Sequence, residues 1–281
     1  MTSRGEVRGS GWAMRSAGRV GACLGWLVPM AAAGVSGCQK PDPSRTGTEG
    51  SGIVIHYGTP ADSDREGAAF LRGRKVAEEA TSAIGALVDV DRPMSVGVVS
   101  CDGEGSSCDP EATRVKVCYD EVSGTRELFR RTGPRRSDDA VAAVMLETLF
   151  HEMAHALVDV LELPVHGREE DAADQFAALM LLRKGAVGEQ QVLAAAEAWQ
   201  LSEATNEDAD EGPGTHSSDG RRAADHRCYV YGAASGRHRG LVGPDTLPDE
   251  RAKGCAEEWN AARASWMTAL ASHLRDGWTL P

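Results

Sequence analysis

The residues best suited to chemistry are two histidines and a glutamate in the pentapeptide His-Glu-Met-Ala-His, at 151–155. On a helix, positions four residues apart lie about 40° apart on one face, one turn from each other. The imidazoles of His151 and His155 could therefore share one metal ion, with Glu152 within reach of a water on that ion. Imidazole and carboxylate ligands with an open fourth position suit zinc best. The pattern predicts Zn²⁺ as the cofactor and Glu152 as the catalytic general base.

A third metal ligand is expected from the acidic segment that follows. Pro164 and Gly167 interrupt the helical pattern, and a second helix is predicted to fold back against the first. Glu170 and Asp174 would lie one turn apart on its face. We assign Glu170 as the third ligand and Asp174 as the acceptor that orients a ligating histidine. Glu169 is the competing ligand.

The Glu-x-x-x-Asp spacing with a following Phe-Ala resembles the third-ligand helix of gluzincins, including the membrane-bound prenyl-protein proteases. Metzincins are excluded, because Val158 and Leu161 stand where that class has a glycine and a third histidine. More broadly, the chain is similar over about residues 95–275 to a bacterial family of metallopeptidases with a domain otherwise of unknown function. The resemblance rests on these segments: 118–121, 151–164, 167–176, His216-Ser217, and the region of Cys228 and Cys255. It implies a zincin-like fold and a zinc peptidase, without a known substrate. The chain departs from the family pattern between Cys101 and Asp109-Pro110. An aromatic residue expected in this segment is replaced, and Cys108 lies near that place.

The oxyanion of a hydrolysed peptide bond needs a stabilising group from elsewhere in the chain. His216, in a polar segment before a predicted helix, is the preferred candidate. Three tyrosines are weaker candidates: Tyr119, Tyr229 and Tyr231. His166, between the two ligand helices, is a weaker candidate for a fourth ligand.

The surrounding patterns predict an α+β domain, with a small N-terminal sheet, an active-site helix carrying the two histidines, and several C-terminal helices. Strands are expected at these places: 52–57, 94–100 and 113–119. Helices are expected at these: 64–88, 138–162, 168–183, 188–204, 220–232 and 249–274.

The first residues are expected to be a targeting segment. Arg15 and Arg19 precede an apolar stretch that ends in Val-Ser-Gly-Cys at 35–38. This resembles the lipobox of bacterial lipoproteins, which implies a signal peptide at 1–37 and a lipidated Cys38. Residues 38–51, rich in proline, glycine and serine, then form a flexible tether, and 52–281 form the metallopeptidase domain. A soluble secretory signal is the alternative, and either Met1 or Met14 could be the start.

The remaining cysteines suit an oxidising compartment. Disulfides are expected between Cys228 and Cys255 and between Cys101 and Cys118, which leaves Cys108 outside both. A Cys108–Cys118 pair is the main alternative.

Charge and composition limit the partners. The chain of 281 residues has a net charge of −12, which becomes −15 without residues 1–37 and their four arginines and one glutamate. Such acidity, with only 5% aromatic residues, argues against nucleic-acid binding. The predicted function is a lipid-anchored zinc peptidase of the cell envelope, acting on a peptide or protein there and touching the membrane through its anchor only. The alternatives are a zincin-fold binding or regulatory lipoprotein with a structural or vestigial metal site, and a metal hydrolase that is not a peptidase.

Overall fold

The computed structural model describes residues 45–47, 52–90, 92–131, 138–205 and 217–276. Within them the chain forms one small mixed sheet and a larger set of helices, which confirms the predicted α+β class. The strands are β1 (Arg45–Gly47), β2 (Ile53–Tyr57), β3 (Met94–Val99), β4 (Ser107–Asp109) and β5 (Arg114–Cys118). The helices are α1 (Arg65–Arg74), α2 (Val76–Leu87), α3 (Asp120–Arg131), α4 (Asp138–Val160), α5 (Glu169–Leu182), α6 (Ala186–Thr205), α7 (Asp219–Ala234), α8 (Asp249–Ala252) and α9 (Cys255–Leu270).

The sheet has the order β1-β2-β3-β5-β4. Its three central strands, β2, β3 and β5, run parallel, and the outer strands β1 and β4 run antiparallel to their neighbours. Alternate residues of β2 and β3 are buried, as expected for strands with a single face on the core. Because β4 is the last strand in this order, it is an edge strand, and it packs beside α4.

The central element of the fold is α4. Fifteen of its residues are buried, and it contacts α2, α3, α5, α6, β4 and β5. By length and composition α4 could cross a membrane, but 78% of its most apolar window is buried inside the fold. Its apolar surface is thus covered by the protein's own elements, as in a core helix.

The structure differs from the sequence-based expectation in five places. The helix expected at 64–88 is divided at Lys75, whose left-handed backbone (φ 55°) ends α1. The helix expected at 249–274 is divided into α8 and α9. α3 and β4 were not predicted. Arg45–Gly47, inside the expected tether at 38–51, pairs with β2.

Candidate metal centre

Three side-chain atoms from α4 and α5 converge on one point. The Nε2 atoms of His151 and His155 lie 3.2 Å apart, and Oε2 of Glu170 lies 3.2 Å from each of them. The helical spacing puts both histidines on one face of α4, and the turn at 161–168 brings the first turn of α5 beside it. The turn is tight, and both Glu162 (φ 51°) and Gly167 (φ 89°) adopt left-handed backbone conformations.

The spacing of these atoms fits a tetrahedral metal ion. Three ligand atoms of a tetrahedral ion with bonds of about 2.0–2.1 Å lie about 3.3–3.4 Å from one another. The observed sides of 3.2 Å are close to that value. A carboxylate and two imidazoles whose second nitrogens are already bound have little reason to approach so closely unless they share a cation.

Each of the two histidine rings is held from its far side by a carboxylate of α5. Nδ1 of His151 lies 2.7 Å from Oδ1 of Asp174, and Nδ1 of His155 lies 2.6 Å from Oε1 of Glu169. Because a carboxylate accepts, each Nδ1 donates, which leaves Nε2 of a neutral ring to offer its lone pair to a cation. Glu169 therefore lies behind the His155 ring, and Glu170 is the one that reaches the convergence point.

The charges of the site act strongly on one another. In the metal-free protein, burial opposes a charge on His151, but the hydrogen bonds to Asp174 and Glu170 raise its pKa to about 10. A metal ion at the convergence point would displace the proton on Nε2. Burial also disfavours ionised Asp174, yet the Arg222 guanidinium and the His151 ring hold the pKa of that carboxyl far below its ordinary value. Asp174 thus remains an anion that accepts from His151.

Glu152, the residue after His151 on α4, is also buried, with 5% of its surface exposed. A second carboxyl, Glu121 at the start of α3, lies near it. Glu121 accepts hydrogen bonds from the Ser106 amide (2.6 Å) and hydroxyl (2.7 Å). Burial and the neighbouring charges of Glu152 and Asp120 raise the pKa of Glu121 to about 7, despite those hydrogen bonds.

Sequence reasoning missed a group of buried charges behind the centre. Arg222, on α7, donates through Nε to Oδ2 of Asp174 (2.7 Å) and through Nη2 to its Oδ1. His226, one turn later, pairs with Glu147 of α4 at 2.9 Å, and both side chains are almost fully buried. The only signal in the sequence was the i, i+4 spacing of Arg222 and His226 on a predicted helix, because their partners lie 48 and 79 residues away.

The structure also locates the weaker candidates. The preferred oxyanion candidate, His216, lies outside the described residues. The hydroxyl of its neighbour Ser217 donates to Asp171 on α5 at 2.8 Å. The hydroxyl of Tyr119 donates to the Gly58 carbonyl. Tyr229 is buried, Tyr231 packs beside the Cys228–Cys255 bridge, and His166 is exposed. In the described part of the chain, neither His166 nor any of the three tyrosines joins the converging side-chain atoms.

The structure contains both expected disulfides. Cys101–Cys118 joins the ends of β3 and β5, and Cys228–Cys255 joins α7 to the start of α9. Cys108 lies outside both. Cys38, the expected lipidation site, lies outside the described residues.

Comparison with known proteins adds a family to this geometry. No curated protein and no solved structure matches the chain. A family model described as "Putative metallopeptidase" matches residues 57–270, a range that contains both histidines, Glu152, Glu170 and the buried charges behind them. Because the match covers most of the chain, the protein belongs to this metallopeptidase family, DUF4344.

Proposed function

We propose that the protein is a zinc-dependent peptidase with a zincin-like fold. The observation that carries this proposal is the triangle of His151 Nε2, His155 Nε2 and Glu170 Oε2, with 3.2 Å sides and with Glu152 buried beside it. Two imidazoles and one carboxylate form a typical catalytic zinc set, which leaves a fourth position open. Membership of a metallopeptidase family supports the same assignment.

In the proposed mechanism, zinc, when bound, supplies a Lewis acid that activates water and polarises a carbonyl oxygen. His151, His155 and Glu170 hold the ion, and Asp174 and Glu169 keep the two rings in the ligating orientation. Glu152 takes the proton of the attacking water and then gives it to the leaving amine. His216 is proposed to donate to the oxyanion, and the hydrogen bond of Ser217 to Asp171 holds the adjacent backbone beside α5.

The test is metal analysis of the purified protein together with cleavage of a peptide library. Wild type should hold one zinc ion per chain and cleave some members. Glu152→Gln should keep the metal but lose activity by at least about 100-fold, because it cannot accept a proton. Glu170→Gln should lose metal. The exposed Glu257→Gln is the matched control and should change neither. Full activity in Glu152→Gln would refute the mechanism.

The same experiment separates the main alternative. A binding or regulatory protein with a structural or vestigial site would hold zinc and cleave nothing. The retention of Glu152 beside the ligands favours the enzyme, since a purely structural site has no use for a buried carboxylate there.

The proposed location is the cell envelope, with attachment to the membrane through a lipid on Cys38 only. The lipobox-like 35–38 segment and the two disulfides support export to an oxidising compartment. Cys38→Ser should move the protein from the membrane fraction to the soluble fraction. Unchanged membrane association in that variant would contradict the anchor.

A further inference from the structure

The buried charges behind the metal centre form a series of hydrogen bonds that begins and ends on α4. It runs from His151 on α4 to Asp174 on α5 and then to Arg222 on α7. The carbonyl of Arg222 accepts from Nδ1 of His226 (2.9 Å), and Nε2 of His226 meets Glu147 (2.9 Å). Glu147 lies on α4, one turn before His151, so the series returns to the helix where it began. α7 is thereby tied to both ligand helices.

Arg222 is the member of this series that holds Asp174, the acceptor of His151 Nδ1. Its guanidinium binds both oxygens of Asp174, which fixes the plane of that carboxylate. Oδ1, one of the two clamped oxygens, is the acceptor of His151 Nδ1. The face of the guanidinium lies 3.5 Å from the ring centroid of Trp199 on α6, so its orientation is set as well. Side chains of Arg222 and Asp174 are each 8% exposed, and water has little access to loosen the clamp.

Stability alone is a poor explanation for this arrangement. Buried ion pairs cost desolvation, and well-packed apolar side chains of similar size often stabilise a fold as well or better. Here two such pairs, Arg222–Asp174 and His226–Glu147, lie side by side behind a single ligand. What they supply is a fixed direction for the Asp174 carboxylate, and an orienting acceptor of that kind commonly changes metal affinity 10–100-fold.

We infer that Arg222 is a positioning residue of the metal centre, which acts through Asp174 to hold the His151 ring in its ligating orientation. The inference rests on the proposed metal site, and it adds a helix, α7, and a residue that ligates nothing. His226 and Glu147 hold α7 against α4 so that the clamp stays aligned.

The test is a double-mutant cycle on metal affinity. Zinc dissociation constants would be measured by chelator competition for wild type, Arg222→Met, Asp174→Asn and the double variant, with the Co²⁺ absorption spectrum as a report on ligand geometry. Each single variant should weaken zinc binding by about 10–100-fold. Because Arg222 acts through Asp174, the double variant should bind no more weakly than Asp174→Asn alone. Arg222→Lys should restore part of the affinity, since lysine keeps the charge but not the two-point clamp.

A control on the same helix separates positioning from folding. Arg227 is also buried on α7, but its guanidinium bonds Gln200 on α6, whereas that of Arg222 bonds Asp174 on α5. Arg227→Met should lower the thermal stability of the metal-free protein and leave zinc affinity unchanged. If Arg222→Met lowers stability in the same way and keeps wild-type zinc affinity, Arg222 has only a structural role. If the two losses of affinity add in the double variant, Arg222 does not act through Asp174, and the inference is overturned.

The readout is independent of hydrolysis. A wild type that binds zinc and cleaves nothing would refute the proposed function while leaving the cycle fully measurable. A His151→Ala variant with the zinc affinity of wild type would refute the ligand set, and with it the role of Arg222.

Discussion

At the scale of residues, one helix supplies nearly everything that the two histidines lack. The first turns of α5 carry Glu170, which completes the set of ligands, and Glu169 and Asp174, which face the outer nitrogens of the two rings. Three acids on one helix would repel one another in water. Arg222 offsets one of their three negative charges, and a bound Zn²⁺ would offset the other two.

Glu121 gives a prediction on the pH dependence of stability. Its pKa is about 7 in the folded protein, against an ordinary value of 4.5. Below pH 4.5 it is protonated in both states and has no effect. As pH rises to 7, the unfolded chain ionises first, so the native state loses relative stability, by roughly 3 kcal/mol in full. Glu121→Gln does not ionise and should gain on wild type by roughly 2–3 kcal/mol between pH 5 and pH 8.

The measurement is urea unfolding of both proteins at the two pH values, with a chelator present to remove bound metal. Glutamine keeps an acceptor for the Ser106 amide and a group that can bond its hydroxyl, so packing changes little. The exposed Glu257→Gln, on α9, controls for the loss of one negative charge from the whole molecule. A stability difference between Glu121→Gln and wild type that stays constant with pH would show that Glu121 is ionised throughout.

The convergence of the two histidines with an acid of α5 could be predicted from the sequence, but the groups behind them could not. His151, His155, Glu170 and Asp174 lie on two consecutive helices, so helical periodicity alone relates them. Glu121 and Arg222 reach the site from elements far along the chain, and no local pattern gives their direction. The choice of Glu170 over Glu169 depended on about 100° of rotation, which the start of a single helix determines.

At the scale of elements, the expected helices appear where apolar periodicity was strong, and the surprises occur where a polar segment is short or interrupted. One residue separates α3 from β5, and α3 is polar in composition, so Val122 and Phe129 are the only large apolar residues on its buried face. Its ends do carry the usual charges, with Asp120 and Glu121 in the first turn and Arg130 and Arg131 in the last. β4 has three residues and is stabilised by pairing with β5, which a local reading cannot detect.

Two helical glycines give a matched prediction about element packing. A Cβ at Gly232 on α7 would lie 2.2 Å from the Cys255 carbonyl oxygen, whereas a Cβ at Gly73 on α1 would meet nothing within 4 Å. Gly232→Ala must push α7 away from α9 and should destabilise the fold by at least about 2 kcal/mol. Gly73→Ala should stabilise it by about 0.5–1 kcal/mol, because alanine restricts the unfolded chain. Thermal unfolding of the two variants would check both signs, and equal effects would contradict the close approach of α7 and α9.

At the scale of the whole molecule, the two disulfides tie down the two segments that carry Ser106 and Arg222. Cys101–Cys118 closes the loop that carries Ser106, the partner of Glu121. Cys228–Cys255 fixes α7, the helix of Arg222, to α9. The loop of Ser106 and helix α7, which could not be placed from the sequence, are therefore covalently tied to the fold. Each bridge keeps in place a long-range contact of the site: that of Ser106 with Glu121, or that of Arg222 with Asp174.

Removing each bridge should therefore lower stability by an amount set mainly by the length of chain it closes. The bridged cysteines are 17 residues apart for Cys101–Cys118 and 27 apart for Cys228–Cys255. Chain entropy predicts losses of about 3 kcal/mol for the first and about 3.5 kcal/mol for the second when both cysteines of a pair become serine. Urea unfolding of the two double-serine variants would measure these losses.

Thiol titration of denatured, unreduced wild type supplies the control: with Cys38 lipidated and Cys23 removed, it should find one thiol, that of Cys108. Two or more thiols would mean that a bridge is absent in the protein as produced, and unchanged stability in either variant would mean that its bridge does not restrict the unfolded chain.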